Sequence, residues 1–147
     1  MQRISSQKEL NELLADINSA GGLLREAHLL SSSYLIEDDG KVYSTSGQGG
    51  DLLRILLTLC ESENGAVELV LEGVSQSNIP SGLELHMHGE VNDFQASIRF
   101  GLEPADGFVN AKKVYFRYHD RSVWGERPYY AKTSPLDEEG NLVLEQL

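Results

Sequence analysis

The residues best placed by type and spacing to do chemistry lie in Glu84-Leu85-His86-Met87-His88-Gly89-Glu90. Strand alternation puts Glu84, His86, His88 and Glu90 on one face. Two imidazoles at i and i+2, with a carboxylate beside them, could share a divalent ion. The hairpin register expected for this region sets Arg99 opposite His86, and a fixed cation there opposes a metal. A solvated strand face is therefore the stronger reading. His86 and His88 stand as the alternative metal pair, and no cofactor is expected.

Other stretches carry less. Gly47-Gln48-Gly49-Gly50-Asp51 resembles a phosphate cradle ahead of a helix, but it lacks the Lys-Ser/Thr of a P-loop, and Asp51 would fill the anion's place. Ser31-Ser32-Ser33 offers hydroxyls with no histidine near in sequence and no Gly-x-Ser-x-Gly elbow. His28, His119 and Asp120 could meet only through folding. Cys60 ends the apolar run Leu52–Leu59, so it is expected as a buried, inert thiol. No catalytic residue is named, and the chain reads as a binding protein, not an enzyme.

The carboxy-terminal segment holds another kind of chemistry. From Lys112 to Lys132 six basic residues face two acidic ones, a local excess of four positive charges that leaves −15 on the remainder. The same stretch contains Tyr115, Tyr118, Trp124, Tyr129 and Tyr130. Tyr, Trp and Arg dominate the hot spots of protein interfaces. Arg121, Trp124, Arg127, Tyr129 and Tyr130 are accordingly the candidate partner-binding residues. The arm could equally fold back over the sheet with Trp124 as a lid.

These residues need elements to position them. At 147 residues the chain has the size of one domain, large enough to fold without a disulfide or metal. Ser6-Gln7-Lys8-Glu9 matches a capping box, and Leu10, Leu13, Leu14 and Ile17 follow at helical spacing until Gly21-Gly22. Leu23–Leu30, Ser33–Glu37 and Lys41–Thr45 read as strands, the last two joined by Asp38-Asp39-Gly40. Asp51–Ser62 reads as a second helix, capped by Asp51 and apolar almost all round. From Ala66 the period becomes twofold. Leu83–Val91 and Phe94–Leu102 form a hairpin, expected to pair Val91 with Phe94, Gly89 with Ala96, Met87 with Ile98 and Leu85 with Phe100 through an Asn92-Asp93 turn. Lys112–His119 is the last strand, and residues 119–135 form an irregular arm. The expected fold is a single α+β domain: an antiparallel β-sheet with two helices packed on one face.

Charge narrows the function. A net charge of −11 and a pI near 4.7 favour encounter with basic partners and disfavour nucleic acid, whose phosphates need cationic side chains. Met1–Ser6 has no apolar signal region, and no run reaches the roughly 18 apolar residues of a membrane span, so the expected setting is cytoplasmic. An uncovered edge strand could support a homodimer.

In layout and charge the chain resembles bacterial toxin-immunity proteins of the YezG-like kind. Capped helix Ser6–Ala20, helix Asp51–Ser62 and the strands after Ala66 carry the likeness. The family's aromatic-rich signature after its second helix is absent; Asn64-Gly65-Ala66 stands there instead, and no binding residue is carried over. The resemblance implies an acidic inhibitor that occludes a secreted, basic toxin domain. The alternative is a secretion chaperone holding an effector segment extended, although Leu136–Leu147, interrupted by Gly140, makes a poor terminal helix.

Overall fold

The computed structural model describes residues 1–47, 49–79, 85–120 and 138–139. Their one α-helix, α1 (Gln7–Ser19), begins where the sequence predicts. Ser6 Oγ accepts the Glu9 N–H at 3.2 Å, while the Glu9 carboxylate accepts the N–H and hydroxyl of Ser5 in place of Ser6. Leu10, Leu13, Leu14 and Ile17 form its buried stripe, and Gly21, at φ +68°, follows its end.

Among the described residues eleven strands make three antiparallel sheets. The largest is ordered β1 (Gln2–Ile4), β11 (Lys113–His119), β6 (Ala66–Val74), β5 (Asp51–Leu59), β2 (Gly22–Leu30). The second is ordered β7 (Gln76–Asn78), β10 (Phe108–Ala111), β9 (Ala96–Arg99), β8 (His88–Val91). The third is a ribbon of β3 (Ser33–Asp38) and β4 (Lys41–Ser46).

The two larger sheets share their backbone. Only Ser75 separates β6 from β7 and only Lys112 separates β10 from β11. At the break, Lys112 N–H donates to Glu72 O and Ser75 N–H to Asn110 O, both at 2.9 Å, so the strand pair passes from one sheet to the other. Gly73 takes φ +72° there, a conformation costly for any residue with a Cβ. The core joins Ile55, Leu57, Leu69, Leu71 and Val114 of the larger sheet to Ile98 and Val109 of the smaller, with the α1 stripe. Each such side chain, fully buried, contributes roughly 1.5–3 kcal/mol.

Helix α1 also closes an edge. The Gln7 carboxamide donates to Gly89 O at 2.8 Å and accepts from Val91 N–H at 2.9 Å. Asn18 does the same for Met87, donating to its O at 2.8 Å and accepting from its N–H at 2.7 Å. Eleven residues are three helical turns, so Gln7 and Asn18 fall on one flank of the helix. Their amides stand in for a neighbouring strand along β8 and the residues before it, where a bare edge would invite pairing with another chain.

The structure corrects the expected fold in several places. There is one helix among the described residues, not two: Asp51–Ser62 is strand β5 and a turn. A short apolar run does not distinguish a buried strand from a helix. Here β2 and β6 pair with both edges of β5, and its middle residues Ile55, Leu56 and Leu57 are buried on both faces. Asp51 caps no helix; its carboxylate accepts the Ser32 N–H at 2.8 Å. Cys60 falls just past β5, and is exposed where burial was expected.

The β8–β9 register is displaced by two residues, pairing Val91 with Ala96 and Gly89 with Ile98. Asn92 Oδ1 accepts the N–H groups of both Phe94 and Gln95, closing a longer turn than Asn92-Asp93 could. An even displacement preserves the faces, so Met87 stays buried and His86, His88 and Glu90 stay exposed. Short strands β1, β7 and β10 were not anticipated. Phe108–Ala111 forms β10 as the direct continuation of the predicted last strand.

Candidate partner-binding surface

The outer face of the five-stranded sheet, opposite the core, carries the densest polar cluster. Its centre is Glu68 on β6, whose side chain is only 3% exposed. The registers place Arg54 on β5 and Arg117 on β11 around it. Arg54 Nε and Arg117 Nε both donate to the carboxylate, the latter at 2.5 Å, and His119 Nε2 lies 3.0 Å from it. Glu26 stands 4.0 Å from Arg54 and 3.7 Å from His28, extending the network to β2. Burial alone would raise the Glu68 carboxyl. The hydrogen bonds of His119, Arg117 and Arg54, with the charge of Arg54, outweigh it and lower the pKa from 4.5 to about 2. A carboxylate so acidic and so fully bonded is a poor proton acceptor. It anchors the arginines.

The histidines do not converge on a reaction centre. His28 on β2 and His119 on β11 are separated by β5 and β6, a distance of at least about 14 Å at normal strand spacing. His86 and His88 share an exposed face, and the displaced register puts Arg99 opposite His88 instead of His86. Among the described residues no three His, Cys, Asp or Glu side chains are grouped to hold a metal. The glycine loop leads into a strand, so no helix amino terminus faces it. Arg121, Trp124, Arg127, Tyr129 and Tyr130 lie outside the described residues.

The surface that stands out is the β3–β4 ribbon. It grows from the β2–β5 hairpin, whose strands still pair at Leu30 and Leu52. At its base Gly47 N–H donates to Ser32 O at 2.7 Å. Its tip turns at Asp39 and Gly40, both with positive φ, as a type I′ hairpin turn requires. No residue of either strand is buried. Of the ten large apolar side chains exposed among the described residues, seven lie between Leu29 and Tyr43: Leu29, Leu30, Tyr34, Leu35, Ile36, Val42 and Tyr43. Tyr34, Ile36 and Tyr43 share one face, Leu35 and Val42 the other. A hairpin gains little stability alone in water, so this concentration of apolar surface has no structural role within the described fold. Glu37, Asp38 and Asp39 against Lys41 leave the ribbon tip negative.

No family model, curated protein or solved structure matches this chain.

Sequence reasoning singled out the ribbon's turn and strands but missed their exposure. Three consecutive apolar residues, Tyr34-Leu35-Ile36, were the available signal, because alternation must put at least one of them on each face. It also missed Glu68. There the signal was Arg54 inside an otherwise apolar run, a charge that burial would force into a pair.

Proposed function

We propose that this chain is a protein-binding domain that engages its partner through the β3–β4 ribbon, as an immunity or inhibitor protein that neutralises a basic toxin domain by occluding it. The single observation behind the reading is the ribbon itself: seven exposed apolar side chains on an unsupported, acidic-tipped hairpin and the strand leading into it. Burying them against a partner supplies affinity, and a net charge of −11 speeds encounter with a cationic surface. Among the described residues neither edge of the ribbon is paired with a further strand, which leaves both available for strand addition.

The test is protection. Cells producing this chain together with the basic, secreted domain encoded beside its gene should survive, and the two proteins should co-purify. Replacing Leu35 and Ile36 by lysine should abolish both effects, while the melting temperature stays within what surface changes cause, about 0.5 kcal/mol in stability. A neighbouring gene without such a domain, or a double variant that protects fully, overturns the reading.

A further inference from the structure

A cleft of about 720 Å³ opens between the amino end of α1, strand β8, the β8–β9 turn and the β6–β7 junction, within the roughly 300–1,000 Å³ of small-molecule sites. Its walls are polar. Glu90, Ser97 and Asn110 occupy one row across β8, β9 and β10, paired in register, so their side chains follow one another at about 5 Å. Asn92 and Gln95 close the row at the turn.

These groups retain hydrogen-bonding capacity. Among the described residues the side chains of Glu90, Gln95 and Ser97 have no hydrogen bond or ion pair. Asn92 spends its oxygen on the turn and keeps its amide nitrogen as a donor. Asn110 reaches Gln76 only at 3.4 Å. Phe94, between Asn92 and Gln95, is 84% exposed and packs on nothing that explains an aromatic ring at a turn.

The composition selects the ligand. Among the described residues no lysine or arginine lines the cleft, and Glu90 repels anions, so this lining disfavours phosphates and acids. The lining offers amides, two hydroxyls and a carboxylate instead of the continuous apolar wall a lipophilic molecule needs. Closely spaced donors and acceptors, closed off by a turn that carries an exposed ring between the lining residues Asn92 and Gln95, suit a neutral polyol with an apolar CH face. We infer that the cleft is a binding site for a neutral saccharide, whose hydroxyls pair with Glu90, Gln95, Ser97 and Asn110 while a ring face lies on Phe94.

The experiment is a titration of the ¹⁵N-labelled full chain, observed by NMR, with maltotriose, cellotriose and triacetylchitotriose in turn. Adenosine and inorganic phosphate serve as comparison probes. At least one trisaccharide should shift the backbone signals of Asn92–Ser97 with millimolar affinity. Glu90→Gln, which removes a charged acceptor, should weaken that binding about tenfold or more, and Phe94→Ala should weaken it likewise. Both variants should melt with the parent, since neither side chain is buried. The inference is overturned if no trisaccharide shifts these signals, if both folded variants bind unchanged, or if adenosine or phosphate binds instead. Full toxin protection by the ribbon variant, which overturns the proposed function, would leave this result untouched, so the two readings fail separately.

Discussion

Glu68 shows how one side chain organises a face of the molecule. Its carboxylate draws together Arg54 from β5 and Arg117 and His119 from β11, the two strands flanking its own, and its ionised form is the one the fold stabilises. A carboxyl with a lowered pKa adds stability above its unfolded value and loses it in acid. That contribution is therefore complete above pH 4.5 and disappears as the pH falls towards 2. Glu68→Gln should cost about 3–5 kcal/mol at neutral pH, because it leaves two partly buried guanidiniums without their shared anion. Urea denaturation at a series of pH values would show it: the parent should lose stability steeply between pH 4.5 and 2, and the variant should lose less. Tyr118, raised to about 12 by burial and by the charge and hydrogen bond of Asp16, is the opposite case and contributes until the pH rises past 10. At this scale the sequence was partly legible. The twofold period from Ala66 is that of β6, with Val67, Leu69 and Leu71 buried, but pairing Glu68 with Arg54 and Arg117 required a strand order that no local pattern encodes.

Elements were read best where their period was unambiguous. α1 has a cap, a stripe and a glycine stop, and all three lie where the sequence puts them. β5 was misread because nine residues rich in leucine satisfy either a helix or a doubly covered strand, and only its neighbours decide. The polar flank of α1 held information that periodicity alone did not use. Gln7 and Asn18 replace a missing strand, so their loss should be felt beyond the helix. Asn18→Ala strands the N–H and carbonyl of Met87 and should cost about 1–3 kcal/mol. At roughly 2–4 °C per kcal/mol for a chain of this size, thermal melting should fall by several degrees. An unchanged melting temperature would mean that water replaces the amide without loss. Gly89 shows how close this contact is: a Cβ there would lie 2.5 Å from Ser97 O and 3.2 Å from the Leu10 side chain.

The whole molecule divides into a packed body and a projecting ribbon. No helix among the described residues is long and apolar enough to cross a membrane. The exposed apolar surface is concentrated on the ribbon and the strand feeding it, and the polar outer face carries Arg3, Arg54, Lys113 and Arg117 among its acids. Because Leu30 and Leu52 are register partners, the ribbon leaves and re-enters the body at adjacent points. Deleting residues 32–50 and joining the ends through Asn-Gly should give a domain that melts cooperatively but no longer protects against a toxin. Failure of this shortened chain to fold would show that the ribbon supports the body. None of this division was visible beforehand, since exposure is a property of what the chain packs against and not of its local pattern.

The strand pair that crosses from one sheet to the other carries a further consequence. Two layers built on separate segments could come apart one at a time, each leaving the other intact. Here the same two stretches of backbone, 66–78 and 108–119, form the middle of the first layer and half of the second. Neither layer can be dismantled without pulling threads from the other, so a disturbance at Lys112 or Ser75 belongs to both at once.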